Sequence, residues 1–149
     1  MRVVPVPWVF VLAYLCGAAS EYAVPTHSTL WAFRSVDFVG GAVLLAGIAL
    51  AGWGWRTFHR ARTTTVPGRS SARLVTWGPY RFSRNPMYVG LSIAYVGESA
   101  LMRQVWPLAF LLVVLAYLNW VVIPVEEGKL HEVFGDTYDD FRRRVRRWV

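Results

Sequence analysis

Charged side chains are scarce in this 149-residue chain: Asp, Glu, Lys and Arg together make up 17 %. A soluble domain carries about 25 %, so an ordinary water-soluble globule is excluded. Cysteine is almost absent. Cys16 stands alone, which excludes a disulfide framework and any cysteine-cluster zinc site. The three histidines, His27, His59 and His131, lie far apart and fit no metal-ligand spacing. The soluble catalytic signatures are missing too: no G-x-G-x-x-G, no P-loop, no G-x-S-x-G and no H-E-x-x-H. What is abundant is apolar, 55 % hydrophobic and 15 % aromatic residues with eight Trp. Such a composition excludes disorder, collagen and coiled coil, and the length suits one compact unit, 1–149. A formal charge of +7 on so apolar a chain points to an integral membrane protein with basic ends against an anionic leaflet. Nucleic acid is not the expected partner.

The uncharged runs are long. Val3 to Ala19 holds no charge, Val36 to Trp55 holds only Asp37 near its edge, and Val105 to Val125 holds none. Met87 to Met102 is shorter and contains Glu98. A spanning helix needs roughly 20 residues, with about 17 as the lower limit. The expectation is an all-α, polytopic membrane bundle with spans near 3–20, 36–56, 86–102 and 105–125. A loop over 57–85 and a tail over 126–149 complete it. The first run, ending in Gly17-Ala18-Ala19-Ser20, has some look of a cleaved leader but reads as a span.

Loop charges set the orientation. Arg56, Arg60, Arg62, Arg69, Arg73, Arg81 and Arg84 occupy the long loop with no acid among them. The tail adds Lys129, Arg142, Arg143, Arg144, Arg146 and Arg147. Basic loops stay inside, so both termini and the long loop are expected in the cytoplasm. The Ala-, Val-, Gly- and Arg-rich composition points to a bacterial inner membrane.

Chemistry-bearing residues gather on that side. Gly78-Pro79-Tyr80-Arg81-Phe82-Ser83-Arg84-Asn85-Pro86-Met87-Tyr88 leads into the third span, with Gly78-Pro79 as a turn and Pro86 at a helix start. Asn85 is placed as its N-cap. That helix N-terminus, flanked by arginines, makes an anion site; the plainer reading is a capped helix with topology-setting arginines. Glu126 and Glu127 then break the basic trend at the edge of an uncharged span, where acids are commonly paired or functional. Asn119, seven residues earlier, is expected on the same face as Glu126. Gly90, Ala94 and Gly97 allow a close neighbour, and a tight hairpin of spans three and four would bring Arg84, Asn85, Tyr88, Asn119, Glu126 and Glu127 to one mouth. A salt bridge from Arg84 to either glutamate is the structural alternative. Beyond them, Leu130, Phe134, Tyr138, Phe141, Val145 and Trp148 mark one face of an interfacial helix, interrupted at Gly135-Asp136-Thr137, whose arginines read as surface anchors.

At these residues the chain resembles the isoprenylcysteine carboxyl methyltransferase and phospholipid methyltransferase group of membrane enzymes. The elements are Gly78-Pro79-Tyr80-Arg81, Arg84-Asn85-Pro86-Met87-Tyr88, Glu126-Glu127, Leu130 and Phe134-Gly135-Asp136-Thr137-Tyr138, spread over 64 of the 149 residues. The resemblance implies methyl transfer from S-adenosylmethionine to a lipid-like acceptor reaching the site through the bilayer. It implies that Arg84, Asn85, Pro86, Tyr88, Glu126 and Glu127 line the cofactor pocket, with Tyr80 and Asn119 beside them and Tyr80, Tyr88 or Trp120 facing the sulfonium. Asn85 departs from the group's commoner histidine and cannot titrate. Phospholipid amines, prenylcysteine-like carboxylates, quinone-like lipids and small thiols are the candidate acceptors. Two other readings compete: a membrane reductase using NADPH with a similar hairpin, and a non-enzymatic membrane subunit. Oligomeric state stays open, because Gly40, Gly47 and Ala51 suit contacts within or between copies.

Overall fold

A computed structural model describes residues 5–26, 35–61 and 73–149. Among them every element is helical: α1 (Val6–Ala23), α2 (Ser35–Arg60), a short 3-10 turn (Gly78–Arg81), α3 (Pro86–Leu101), α4 (Trp106–Tyr117), α5 (Ile123–Phe134) and α6 (Asp136–Arg144). A π-turn over Leu118–Val122 joins α4 to α5, so one helix runs unbroken from Trp106 to Phe134. The loop arginines Arg62 and Arg69 and the start of the first expected span lie outside the described residues.

Among the described residues three helices are long and apolar enough to cross a bilayer: α1, α2 and Trp106–Phe134. The chain is an integral membrane protein. Large apolar side chains such as Trp8, Leu12, Phe38, Leu45, Leu112 and Trp120 face outward, which is tolerable only where the surrounding solvent is itself apolar. The third expected span is α3, whose 16 residues reach about 24 Å against the roughly 30 Å of a hydrocarbon core. The last long helix continues past the expected end at 125 to Phe134. Counting 1.5 Å per residue from Trp106, the glutamate doublet sits about 30 Å along it, at the edge of the hydrocarbon.

The expected tight hairpin of the third and fourth spans does not form. Helix α3 packs chiefly along α2, and α4 along α1, while α3 and α4 touch only lightly. Glycine decides this. A Cβ on Gly47 would lie 2.2 Å from the Ala94 nitrogen, and one on Gly90 would lie 2.5 Å from the Ala51 nitrogen. Backbone therefore meets backbone along that seam, and the small residues Gly40, Gly47 and Ala51 are used within the molecule. Around Phe10, Tyr95, Leu111, Val114, Leu118 and Ile123, helices α1, α3, α4 and α5 share an apolar core.

One end of the bundle is closed by side-chain capping. The Glu21 carboxylate accepts from the backbone N–H groups of Val105 (2.9 Å) and Trp106 (3.1 Å), satisfying the start of α4. Its other oxygen accepts from the Thr26 backbone N–H and hydroxyl. Trp106 Nε1 donates to the Val24 carbonyl at 3.0 Å. Arg103 donates to both oxygens of Asp37 at 3.1 and 3.0 Å.

Candidate functional site

The opposite end begins with the turn before α3. Gly78 has φ +64°, and a Cβ there would press on Thr57 at 3.1 Å, so only glycine brings this turn against α2 without strain. The turn buries Pro79 and Tyr80. Ser83 Oγ accepts from the Asn85 backbone N–H at 3.0 Å, and Pro86 opens α3. Arg84 thereby points inward under the bundle.

There it meets Glu127. Arg84 Nη1 lies 2.7 Å from Glu127 Oε1, with both side chains only 11 % exposed. Arg147 reaches the same carboxylate from the chain's other extremity, with Nη2 at 2.8 Å from Oε2 and Nε at 3.2 Å from Oε1. One buried anion thus carries two guanidiniums. Arg84 Nη1 also lies 3.4 Å from the Tyr138 hydroxyl. Burial pushes the Tyr138 phenol up, helped by the Glu127 charge and opposed by Arg84.

Arg147 belongs to a strap. Helix α6 stops at Arg144, Val145 turns extended (φ −121°, ψ 130°), and the chain crosses the start of α3. Arg84 N–H donates to the Arg146 carbonyl (3.0 Å), while Asn85 Nδ2 (3.0 Å) and Ser83 Oγ (3.3 Å) donate to the Arg147 carbonyl. This corrects three sequence expectations. Asn85 occupies the N-cap position but makes no side-chain cap, because its amide is used by the strap. Arg147, expected to be a surface anchor, points inward. Trp148, expected on a helix face, sits in the strap with Nε1 donating to Asn119 Oδ1 at 3.2 Å.

The π-turn explains why Asn119 shares Arg147 with Glu127 and not with Glu126. A π-turn takes one extra residue, so the face of Asn119 returns eight residues later instead of seven. Ile123 N–H donates to the Leu118 carbonyl. In that register the Asn119 carbonyl would pair with residue 124, which is Pro and has no N–H. Arg147 Nη1 supplies the missing donor, 3.3 Å from the Asn119 carbonyl and 3.3 Å from its Oδ1.

Glu126, the neighbouring acid, faces a different group: Tyr88 donates its hydroxyl to Glu126 Oε1 at 2.8 Å. Tyr80 lies close by. Its pKa is pushed up to about 12, first by burial and then by the Glu126 charge. Two buried donors here have no partner among the described residues, the Tyr80 hydroxyl and Arg84 Nε. Trp120, a sequence candidate for the sulfonium, lies apart from this cluster, exposed on the outer wall. It helps line an apolar groove of about 680 Å³ between α3 and α4, with Val89, Ile93, Leu112 and Leu115. Asn119 and Trp148 stand where that groove meets the polar cluster.

Of the sequence-named residues, Tyr80, Arg84, Asn85, Tyr88, Asn119, Glu126 and Glu127 come together at this end, with Pro86 starting the helix that carries Tyr88. Sequence reasoning missed Arg147, Trp148, Tyr138 and Ser83 as members. The available signal was Pro124: a proline within an apolar span forces some nearby carbonyl to find another donor.

A family model described as phospholipid methyltransferase matches residues 36–137. The nickel-cobalt-cadmium resistance protein NccN of Alcaligenes xylosoxydans xylosoxydans is 35 % identical over 80 residues, 54 % of this chain and 37 % of that protein. The protein-S-isoprenylcysteine O-methyltransferase of Schizosaccharomyces pombe is 38 % identical over 73 residues, 48 % of this chain and 30 % of that protein. The matched region thus spans about a third of the length of each of these relatives.

Proposed function

We propose a function on one premise: the chain belongs to the phospholipid methyltransferase family. It is an S-adenosylmethionine-dependent membrane methyltransferase, acting as one unit over 1–149 on a lipid or other hydrophobic acceptor that arrives through the bilayer. The supporting observation is the meeting of two environments. A buried polar cluster with two donors that have no partner among the described residues, the Tyr80 hydroxyl and Arg84 Nε, adjoins an apolar groove at Asn119 and Trp148.

The residues fit such a donor. When bound, S-adenosylmethionine supplies an electrophilic methyl on a sulfonium sulfur, which leaves as a neutral thioether as the acceptor's lone pair attacks. Arg84 would hold the donor's carboxylate through the free Nε, a charge-assisted bond inside a dry site. The acidic doublet would hold its ammonium or ribose diol, and the Tyr80 and Tyr88 rings would face positive charge. Methyl transfer depends on in-line approach, so holding the two reactants aligned and excluding water supplies the rate enhancement. The groove would hold the acceptor's apolar part, with its head directed to the Asn119 end. The arginines of α6 and the strap turn this end toward the cytoplasm by the positive-inside preference, at an inner membrane in a bacterial source.

The test is incubation of the purified protein in nanodiscs with labelled S-adenosylmethionine and a total lipid extract. Label is expected in a lipid or hydrophobic fraction. Absence both of transfer and of measurable donor binding would overturn the reading.

A further inference from the structure

The two adjacent glutamates are electrostatically unlike. Glu127 is saturated: Arg84 and Arg147 place three nitrogens within 3.2 Å of its two oxygens. Two cations on one anion leave that pocket with surplus positive charge, so it repels a further cation. Glu126 has only a neutral partner, the Tyr88 hydroxyl, and among the described residues no cation lies within ion-pair distance of it. Lys129, one turn on, acts on Glu126 only through longer-range attraction. The Tyr80 hydroxyl, which feels the Glu126 charge, is buried on a residue 7 % exposed and has no partner among the described residues. A buried hydroxyl with no acceptor is costly unless a bound group completes it.

The separation has a local cause. In a regular helix, Asn119 would share its face with Glu126, seven on. The π-turn and Pro124 shift it onto Glu127 and leave its carbonyl to Arg147. Arg147 is thereby fixed by Asn119 and Glu127 together, and it draws the strap across Ser83–Asn85.

We infer that the doublet is divided: Glu127 and Arg147 are positioning residues that neutralise each other and hold the strap, while Glu126, framed by Tyr88 and Tyr80, is the carboxylate that binds the positive group of the ligand. This rests on the methyl-donor reading and narrows it. The donor's cationic part lies on the Glu126 side, and its carboxylate lies toward the Arg84 side, where positive charge is in excess. The two poles of one zwitterionic ligand thus match the two poles of the site.

The experiment uses the full chain in nanodiscs and has two readouts: thermal midpoint without ligand, and binding of S-adenosylmethionine and S-adenosylhomocysteine by calorimetry. Glu126→Gln is expected to weaken binding at least about tenfold with the ligand-free midpoint unchanged. Glu126→Asp keeps the charge and is expected to lose less. Glu127→Gln is expected to lower the ligand-free midpoint by about 4 °C or more, and adding Arg147→Gln to it is expected to lower the midpoint little further, because the pair is already broken. Wild-type binding that survives Glu126→Gln overturns the division, as does a ligand-free midpoint lowered equally by Glu126→Gln and Glu127→Gln. No wild-type binding, with the midpoints ordered as expected, overturns the methyl-donor reading instead.

Discussion

The two ends of the bundle each join distant segments through a carboxylate, and they do so differently. At the Glu21 end the carboxylate oxygens meet backbone N–H groups and a hydroxyl, and the neighbouring Arg103–Asp37 pair is 48 % exposed on both sides. These groups are satisfied locally and gain little from burial. At the Glu127 end the ion pair with Arg84 is 11 % exposed, and donors with no partner among the described residues belong to the same cluster. Burying charge is costly, and a fold that needed only a clasp is served by the first arrangement. The difference leaves hydrogen-bonding capacity at the second end, on which the proposed donor site rests.

The contrast can be broken by substitution. The largest effect is expected for Glu127→Ala, which leaves Arg84 and Arg147 facing each other with no anion. Loss of a buried partner costs about 3–5 kcal/mol, read as a fall in thermal midpoint in nanodiscs. A change no larger than that of Asp37→Ala would abolish the distinction between the ends. Gly47→Ala attacks the seam that holds both ends in place, since its Cβ would sit 2.2 Å from the Ala94 backbone. Overpacking of this kind costs about 1–3 kcal/mol, and here neither backbone has a rotamer through which to yield, so the upper part of that range is expected. Arg147→Ala is expected to cost about 2 kcal/mol, less than Glu127→Ala because Arg84 remains. It should also raise hydrogen exchange in residues 145–148 while leaving the Glu21 end protected. Glu21→Ala removes a helix cap and should cost about 1 kcal/mol, with methyl transfer per folded molecule unchanged. Asp37→Asn sharpens the comparison from below: an exposed pair contributes about 0–1 kcal/mol and fades in high salt.

Much of the fold was legible in the sequence because hydrophobic length is a one-dimensional property. The runs at 3–20, 36–56 and 105–125 each correspond to a long apolar helix, and Gly135 interrupts the tail where expected. The partners of those helices were less legible. Gly90 and Gly97 announced a close neighbour without saying which one, and the answer was α2, whose Gly40 and Gly47 repeat at the same interval of seven. At the site, Arg84, Asn85 and Glu127 were named from order along the chain, and they do meet. Arg147 was lost among five tail arginines, because its distinction is a position opposite Asn119 and Glu127 that the periodicity of the tail does not encode.

Composition and apolar run length determined by themselves that this chain is helical and membrane-embedded, since a polypeptide in lipid must satisfy its backbone internally and declare that in its side chains. Which glutamate is neutralised, which helix borders the groove, and where Asn119 points were decided only in three dimensions. One proline and one extra residue in a turn rotate a whole face. Such a rotation is invisible to any count that assumes a constant helical repeat.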